Sequence, residues 1–220
     1  MNLDPSRPIL YLITRGATTE TTTPKSFEFE QIIEQVSAAA DRGIDLIQIR
    51  EKRLSACVLF ELTQRVVALT RGTATRLLVN DRADIAAGTG ADGVHLSVQS
   101  IDAASIRHTF GNDFMIGAST HSLDEARAAR TGSADFIVFG PVFETASKRE
   151  YGAPVGVEEL SRVTRELADL PVLALGGITM DNFGLCLNGG ARGVAGISLF
   201  SQPQNLGSIA ARIKNWSRLT

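Results

Sequence analysis

Apolar positions along the chain fall into short β-rich runs separated by stretches with helical spacing. The runs are ILYLIT (9–14), DLIQIR (45–50), RLLVN (76–80), GVHL (93–96), FMIGAS (114–119), DFIVFG (135–140), PVLALGG (171–177) and GVAGIS (193–198). Between them, SFEFEQIIEQVSAAADRG places Ile32, Ile33, Val36 and Ala40 on one helical face and stops at Gly43. SACVLFELTQRVVALTRG stops at Gly72, a short helix is expected over 82–88, and SLDEARAARTGS opens with Ser122 and Glu125 in capping-box spacing. VEELSRVTRELADL and NLGSIAARIKNWSRL are also amphipathic. Such alternation argues for parallel strands joined by crossover helices. The count of eight strands selects a closed (β/α)8 TIM barrel over an open doubly wound sheet. No glycine-rich dinucleotide fingerprint follows the first strand, which weighs against the open sheet. The expectation is a single-domain α/β barrel over 1–220, with the Thr-rich segment RGATTETTTPKS (15–26) as a long first loop.

Composition narrows the partners. The chain has 220 residues, 44% of them apolar, enough for the core of one larger α/β domain. A net charge of −2 provides no basic surface for nucleic acid. No apolar run approaches the ~18 residues of a membrane helix. The start MNLDPSRPILYLIT lacks a basic stretch followed by a long apolar one. A cytoplasmic protein with no membrane partner is expected, and homo-oligomerisation stays open. Cys57 and Cys186 have neither disulfide-framework nor metal spacing, and both read as small apolar residues.

In a barrel of this kind, chemistry sits at the C-terminal strand ends. Strand 2 runs into LIQIREK, and residues two apart share a face, so Gln48, Arg50 and Lys52 point one way. Two cations at the barrel mouth are costly unless an anion joins them. Either a carboxylate such as Glu51 pairs with them, or an anionic ligand does. Strand 3 ends in Asn80 and Asp81, oxygen donors suited to Mg²⁺ or, alternatively, a helix cap. Strand 5 ends in Ser119, Thr120 and His121, placed for a ligand or for capping the next helix. After strand 6 comes the long loop FGPVFETASKREYGAPVG, which carries Thr145, Ser147 and Lys148 and suits a lid. Strands 7 and 8 end near Gly176, Gly177, Ile197 and Ser198, where barrels of this type recurrently bind phosphate. Two phosphate-bearing groups meeting in one mouth answer the cations of strand 2. His95, on an apolar strand, reads as a satisfied core residue, and His108 as a surface residue of a helix.

The ordered segments QIREK, NDRADIA, DGVHL, GASTHS, FGPVFETASK, LGGIT and GVAGIS resemble the superfamily of thiamine phosphate synthase and thiazole tautomerase, from LYLIT to GISLF. The resemblance implies a (β/α)8 barrel. It implies that Gln48 and Ser119 hold an aminopyrimidine, that Arg50, Lys52, Asn80 and Lys148 bind pyrophosphate, and that Asp81 binds Mg²⁺. Thr145, Ser147, Gly177, Ile197 and Ser198 would bind the thiazole phosphate. The implied reaction joins hydroxymethylpyrimidine diphosphate to thiazole phosphate: pyrophosphate leaves, and the thiazole nitrogen captures the pyrimidine-stabilised cation. Catalysis would fall to Arg50 and Lys148 through charge stabilisation, with His121 as acid/base on the tautomerase branch.

One departure separates the branches. The synthase pattern carries a second metal-binding Asp where this chain has Ser100 in SVQS; Asp102 lies two residues on. A hydroxyl is a poorer Mg²⁺ ligand than a carboxylate. Ser100 therefore leans toward the tautomerase, which needs no metal, while Asp81 and Ser147 lean toward the synthase, the preferred reading. A non-catalytic barrel that senses thiazole phosphate is the third reading; the retention of Arg50, Lys52 and Lys148 argues against it.

Overall fold

A computed structural model describes residues 6–145 and 153–216. Its strands are β1 (Ile9–Ile13), β2 (Leu46–Ile49), β3 (Arg76–Asn80), β4 (Gly93–Leu96), β5 (Met115–Thr120), β6 (Phe136–Phe139), β7 (Val172–Ala174) and β8 (Gly193–Gly196). They pair in chain order, all parallel, and β8 closes onto β1. The helices α1 (Phe27–Asp41), α2 (Ala56–Thr70), α3 (Ala83–Thr89), α4 (Ala103–Phe110), α5 (Leu123–Thr131), α6 (Gly156–Glu166), α7 (Phe183–Asn188) and α8 (Leu206–Lys214) each follow a strand. The expected TIM barrel is the fold observed.

Strand alternation divides the core in two. Tyr11, Ile13, Leu46, Leu78, Phe136, Val138, Leu173 and Ala195 fill the barrel interior. Residues of the other parity, among them Leu10, Leu12, Ile47, Ile49, Leu77 and Val79, pack outward against the helices. Several strands are shorter at their C-terminal ends than the apolar runs suggested. β2 stops at Ile49, β7 at Ala174 and β8 at Gly196, so Arg50, Gly176, Gly177, Ile197 and Ser198 belong to loops at the mouth. Helix α7 was not expected: six residues, FGLCLN, carry no polar face to betray them. Among the described residues no helix is long and apolar enough to cross a membrane.

The opposite end of the barrel is built from a repeated device. α1, α3, α5 and α7 terminate on left-handed residues: Gly43 (φ 69°), Gly90 (77°), Ser133 (63°) and Gly190 (94°). In each case the next amide reaches back five residues: Ile44 to Ala39 O (3.0 Å), Ala91 to Ala86 O (2.9 Å), Ala134 to Ala129 O (3.0 Å), Ala191 to Cys186 O (3.1 Å). Then comes Asp45, Asp92 or Asp135, with Arg192 in the fourth copy. The three carboxylates accept from the amides of Leu10 (2.9 Å), Leu77 (2.8 Å) and Ile116 (2.7 Å), each the second residue of the preceding odd strand. Each also meets a cation: Lys214 at 2.8 Å, Arg76 at 3.0 Å and Arg107 at 2.8 Å. These clasps tie strand to strand at the N-terminal end and leave the C-terminal ends free to carry a site.

Candidate active site

A polar layer crosses the barrel interior just below the mouth. Gln48 is buried on β2, and its Nε2 donates to the Tyr11 hydroxyl at 2.8 Å. Burial pushes the Tyr11 phenol far above its ordinary pKa, so it stays neutral. On the facing strands, His95 Nε2 lies 2.9 Å from Ser119 Oγ, and the His95, Tyr11 and Phe136 rings pack together with centroids 5.5–6.0 Å apart, Tyr11 and Phe136 edge to face and the other two pairs tilted. Gly117 makes room for them: a Cβ there would stand 2.7 Å from His95 Nδ1 and would collide with the Phe136 ring. Burial drives the His95 pKa from about 6.5 down to about 3; Asp81 opposes the shift and Arg50 adds to it. His95 is thus not the satisfied core residue expected from sequence. One nitrogen holds Ser119 and the other, Nδ1, has no partner among the described residues. The signal available in the sequence was the small Gly117 beside it.

At the β2 end, Glu51 does not neutralise its neighbours. Its carboxylate turns to the first loop, accepting from Gly16 N (3.0 Å), Thr18 N (3.2 Å) and Thr18 Oγ1 (2.8 Å). Arg50 and Lys52 form no ion pair among the described residues. The electrostatic influence of Arg50 on His95 and of Lys52 on Asp81 sets both cations beside the polar layer and the β3 end. The expected pairing with Glu51 is therefore absent among the described residues.

Asp81 stands at the β3 end in the left-handed region (φ 58°). It does not cap α3, whose N-cap position is Arg82. Its oxygens take donors from Asn80 Nδ2 (2.7 Å), Ser97 N (2.9 Å), Ser97 Oγ (3.3 Å) and Ser100 Oγ. Burial raises its pKa, but the bonds from Ser100 and Ser97 and the charge of Lys52 outweigh it, leaving the carboxyl below the ordinary aspartate value. Ser100, where the resemblance led to expect a second carboxylate, donates its hydroxyl to Asp81. Asp102 cannot substitute: it caps α4, accepting from Ser105 N (2.9 Å) and Ser105 Oγ (2.7 Å). Among the described residues no three His, Cys, Asp or Glu side chains converge as a metal site. One ionised carboxylate with neutral oxygens around it fits Mg²⁺ of the kind that keeps waters and shares substrate phosphates.

Across the mouth, Gly176, Gly177, Ile197, Ser198, Thr145 and Pro141 line a pocket between the β7 and β8 ends and the β6 loop. Gly177 has φ 64°, and a Cβ on it would strike Phe143 and the Glu144 carbonyl. Close approach of the β6 loop is thus a second reason for the glycine pair, beside access of a ligand to the backbone. The Gly177 amide and the Ser198 hydroxyl donate to no acceptor among the described residues. Ser198 opens a short 3-10 turn, Ser198–Phe200.

His121 lies at the start of α5, where Glu125 Oε2 accepts from its backbone amide (2.6 Å) and sits 3.3 Å from its Nδ1. The Ser122 hydroxyl accepts from Glu125 N (3.2 Å), so the expected capping box forms with its return bond displaced by one residue. His108 is exposed on α4, as expected. Cys186 is buried, its thiol pushed up to about 12 by desolvation, whereas Cys57 is exposed on α2 rather than apolar filling. Ser147 and Lys148 lie outside the described residues.

The arrangement has relatives. The sequence pattern of the thiamine monophosphate synthase family matches residues 10–200. A Geobacter sulfurreducens relative is 47% identical over 163 residues, 74% of this chain and 76% of its own. The thiamine-phosphate synthase of Chlorobium luteolum is 37% identical over 201 residues, 91% of this chain and 89% of its own. Among solved structures, a thiamine phosphate pyrophosphorylase from Pyrococcus furiosus superposes with a TM-score of 0.76 at 29% identity, covering 95% of this chain and 98% of that one. Match along nearly the whole barrel, strand ends included, places the chain in the thiamine monophosphate synthase family.

Proposed function

We propose that the chain is a thiamine phosphate synthase: a transferase that joins hydroxymethylpyrimidine diphosphate to thiazole phosphate and releases pyrophosphate. The observation that carries this is that Glu51 is committed to the first loop and leaves Arg50 and Lys52 without an ion pair among the described residues, at a barrel mouth that also holds a glycine-lined pocket. Gln48 and Ser119 orient the aminopyrimidine, each already fixed by a buried neighbour, Tyr11 and His95. Arg50 and Lys52, with Asn80 beside them, hold the diphosphate and stabilise the negative charge that grows on it as the carbon–oxygen bond breaks. The Gly177 amide and Ser198 hydroxyl, with Thr145 and Ile197 beside them, hold the thiazole phosphate so that the ring nitrogen lies within reach of the cation and forms the new carbon–nitrogen bond. Lys148 and Ser147 are assigned to pyrophosphate and to the thiazole phosphate on the resemblance alone.

Mg²⁺, when bound, neutralises diphosphate charge, and Asp81 is the residue that would hold it. With Ser100 where a second carboxylate is expected, most of its ligands would be water and substrate oxygens. An isomerase acting on thiazole phosphate alone would have no use for Arg50 and Lys52. Purified protein supplied with both substrates and Mg²⁺ should form thiamine phosphate and pyrophosphate in equal amounts. Ser100→Asp should lower the Mg²⁺ concentration for half-maximal rate, and Asp81→Asn should raise it sharply. Isomerised thiazole phosphate with no pyrophosphate released would contradict the proposal.

A further inference from the structure

Glu51 is the only Asp, Glu, Lys or Arg side chain among the described residues that is buried, and the proposed reaction gives it no task. Among the described residues its carboxylate forms no ion pair, and its three bonds go to the first loop: Gly16 N on Oε1, Thr18 N and Thr18 Oγ1 on Oε2. The same loop runs directly over Arg50. A Cβ at Gly16 would stand 3.3 Å from the Arg50 carbonyl and 3.6 Å from its Nη1. Thr14 completes the stitching: its amide donates to Gln48 O (3.0 Å), and its hydroxyl accepts from Arg50 N (2.8 Å). The loop then braces itself, with Thr19 N on Thr22 Oγ1 at 2.9 Å. Neighbouring residues of one strand end therefore have divided roles. Arg50 and Lys52 are left for a ligand, while Glu51 faces inward and fastens the wall beside them.

We propose that Glu51 is a positioning residue that anchors residues 15–22 across the β2 end, so that the loop backbone fixes the Arg50 guanidinium toward the diphosphate. This rests on the reading of Arg50 as a diphosphate ligand. The chemistry of the clasp demands a carboxylate. Each oxygen accepts from backbone amides, so an amide side chain would set an NH₂ group against another donor and leave buried polar groups unpaired.

Glu51→Gln, Thr18→Val and Arg50→Ala test it, with KM measured for each substrate and exchange of the Gly16 and Thr18 amides followed by NMR. In Glu51→Gln both amides should exchange faster, and the KM for the pyrimidine diphosphate should rise about tenfold, the scale of one lost oriented contact. The KM for thiazole phosphate, bound across the mouth, should stay within about twofold by the same reasoning. Thr18→Val keeps the carboxylate and removes one of three donors; it should shift the diphosphate KM in the same direction by less, which preserves the test if Glu51→Gln does not fold. Equal rises in both KM values, or unaltered exchange at Gly16 and Thr18 in Glu51→Gln, would overturn the proposal. Arg50→Ala separates the two claims. A raised diphosphate KM there with an unchanged one in Glu51→Gln and Thr18→Val would overturn the clasp alone. An unchanged diphosphate KM in Arg50→Ala would remove the ligand assignment and the clasp with it.

Discussion

His95 couples the stability of the barrel to pH. In the unfolded chain its imidazole takes up a proton below about pH 6.5, whereas in the folded protein burial delays this to about 3. Across that window the unfolded chain binds more protons, so the stabilisation is fully present above about 6.5 and is lost as pH falls, by up to about 1.4 kcal/mol per pH unit. Urea midpoints of the wild type and His95→Asn at about pH 7.5 and about pH 5 check this: the wild type should lose more stability on acidification. Equal losses would show that the imidazole is not held neutral. At this scale the sequence was legible in kind but not in pairing. Gln48, Arg50, Lys52 and Asp81 stood out because polar groups at apolar strand ends are costly without a purpose. That Glu51 would face the first loop rather than Arg50 depends on where β2 stops, one residue before Arg50. No pattern of alternating residues states that boundary.

Between helix and strand, the quarter-turn device of the barrel has one odd member. Three of the four helices that end in it use glycine at the left-handed position, and α5 uses Ser133 (φ 63°). A side chain in this region is strained, and glycine relieves the strain while adding some freedom to the unfolded chain. Ser133→Gly should therefore raise stability by about 0.5–1 kcal/mol, read from the denaturant midpoint, with turnover unaffected. A loss of stability would mean that the Ser133 backbone conformation is not the constraint. The repeated Gly-Ile-Asp, Gly-Ala-Asp and Ser-Ala-Asp triplets were present in the sequence ahead of β2, β4 and β6. Only the first was legible as a helix stop, at Gly43. Their second function, a carboxylate clasp on the preceding strand, is a long-range bond that local spacing does not disclose. Long helices such as α1 and α2 were plain from their apolar stripes, whereas α7, six residues without a charge, had none.

For the whole molecule, the eightfold alternation of strand and helix was enough to select the closed barrel, because parallel strands require crossovers and eight of them close. The same topology brings residues from 48 to 198 to a single mouth, which is why strand-end residues could be chosen before any contact was known. The proposed function assigns this mouth two anion sites of different construction. One is built from the side chains Arg50 and Lys52 with Asp81 beside them; the other is built from the Gly177 backbone and Ser198, where the β6 loop presses close. Their separation is the central claim, since the proposed transfer needs a leaving diphosphate and an acceptor phosphate held apart in the same cavity. A crystal structure of the protein with pyrophosphate, Mg²⁺ and thiamine phosphate tests it most directly. The pyrophosphate should lie against Arg50 and Lys52, and the monophosphate against the Gly177 amide and Ser198. Both anions at one of these places, or pyrophosphate bound away from Arg50 and Lys52, would contradict it.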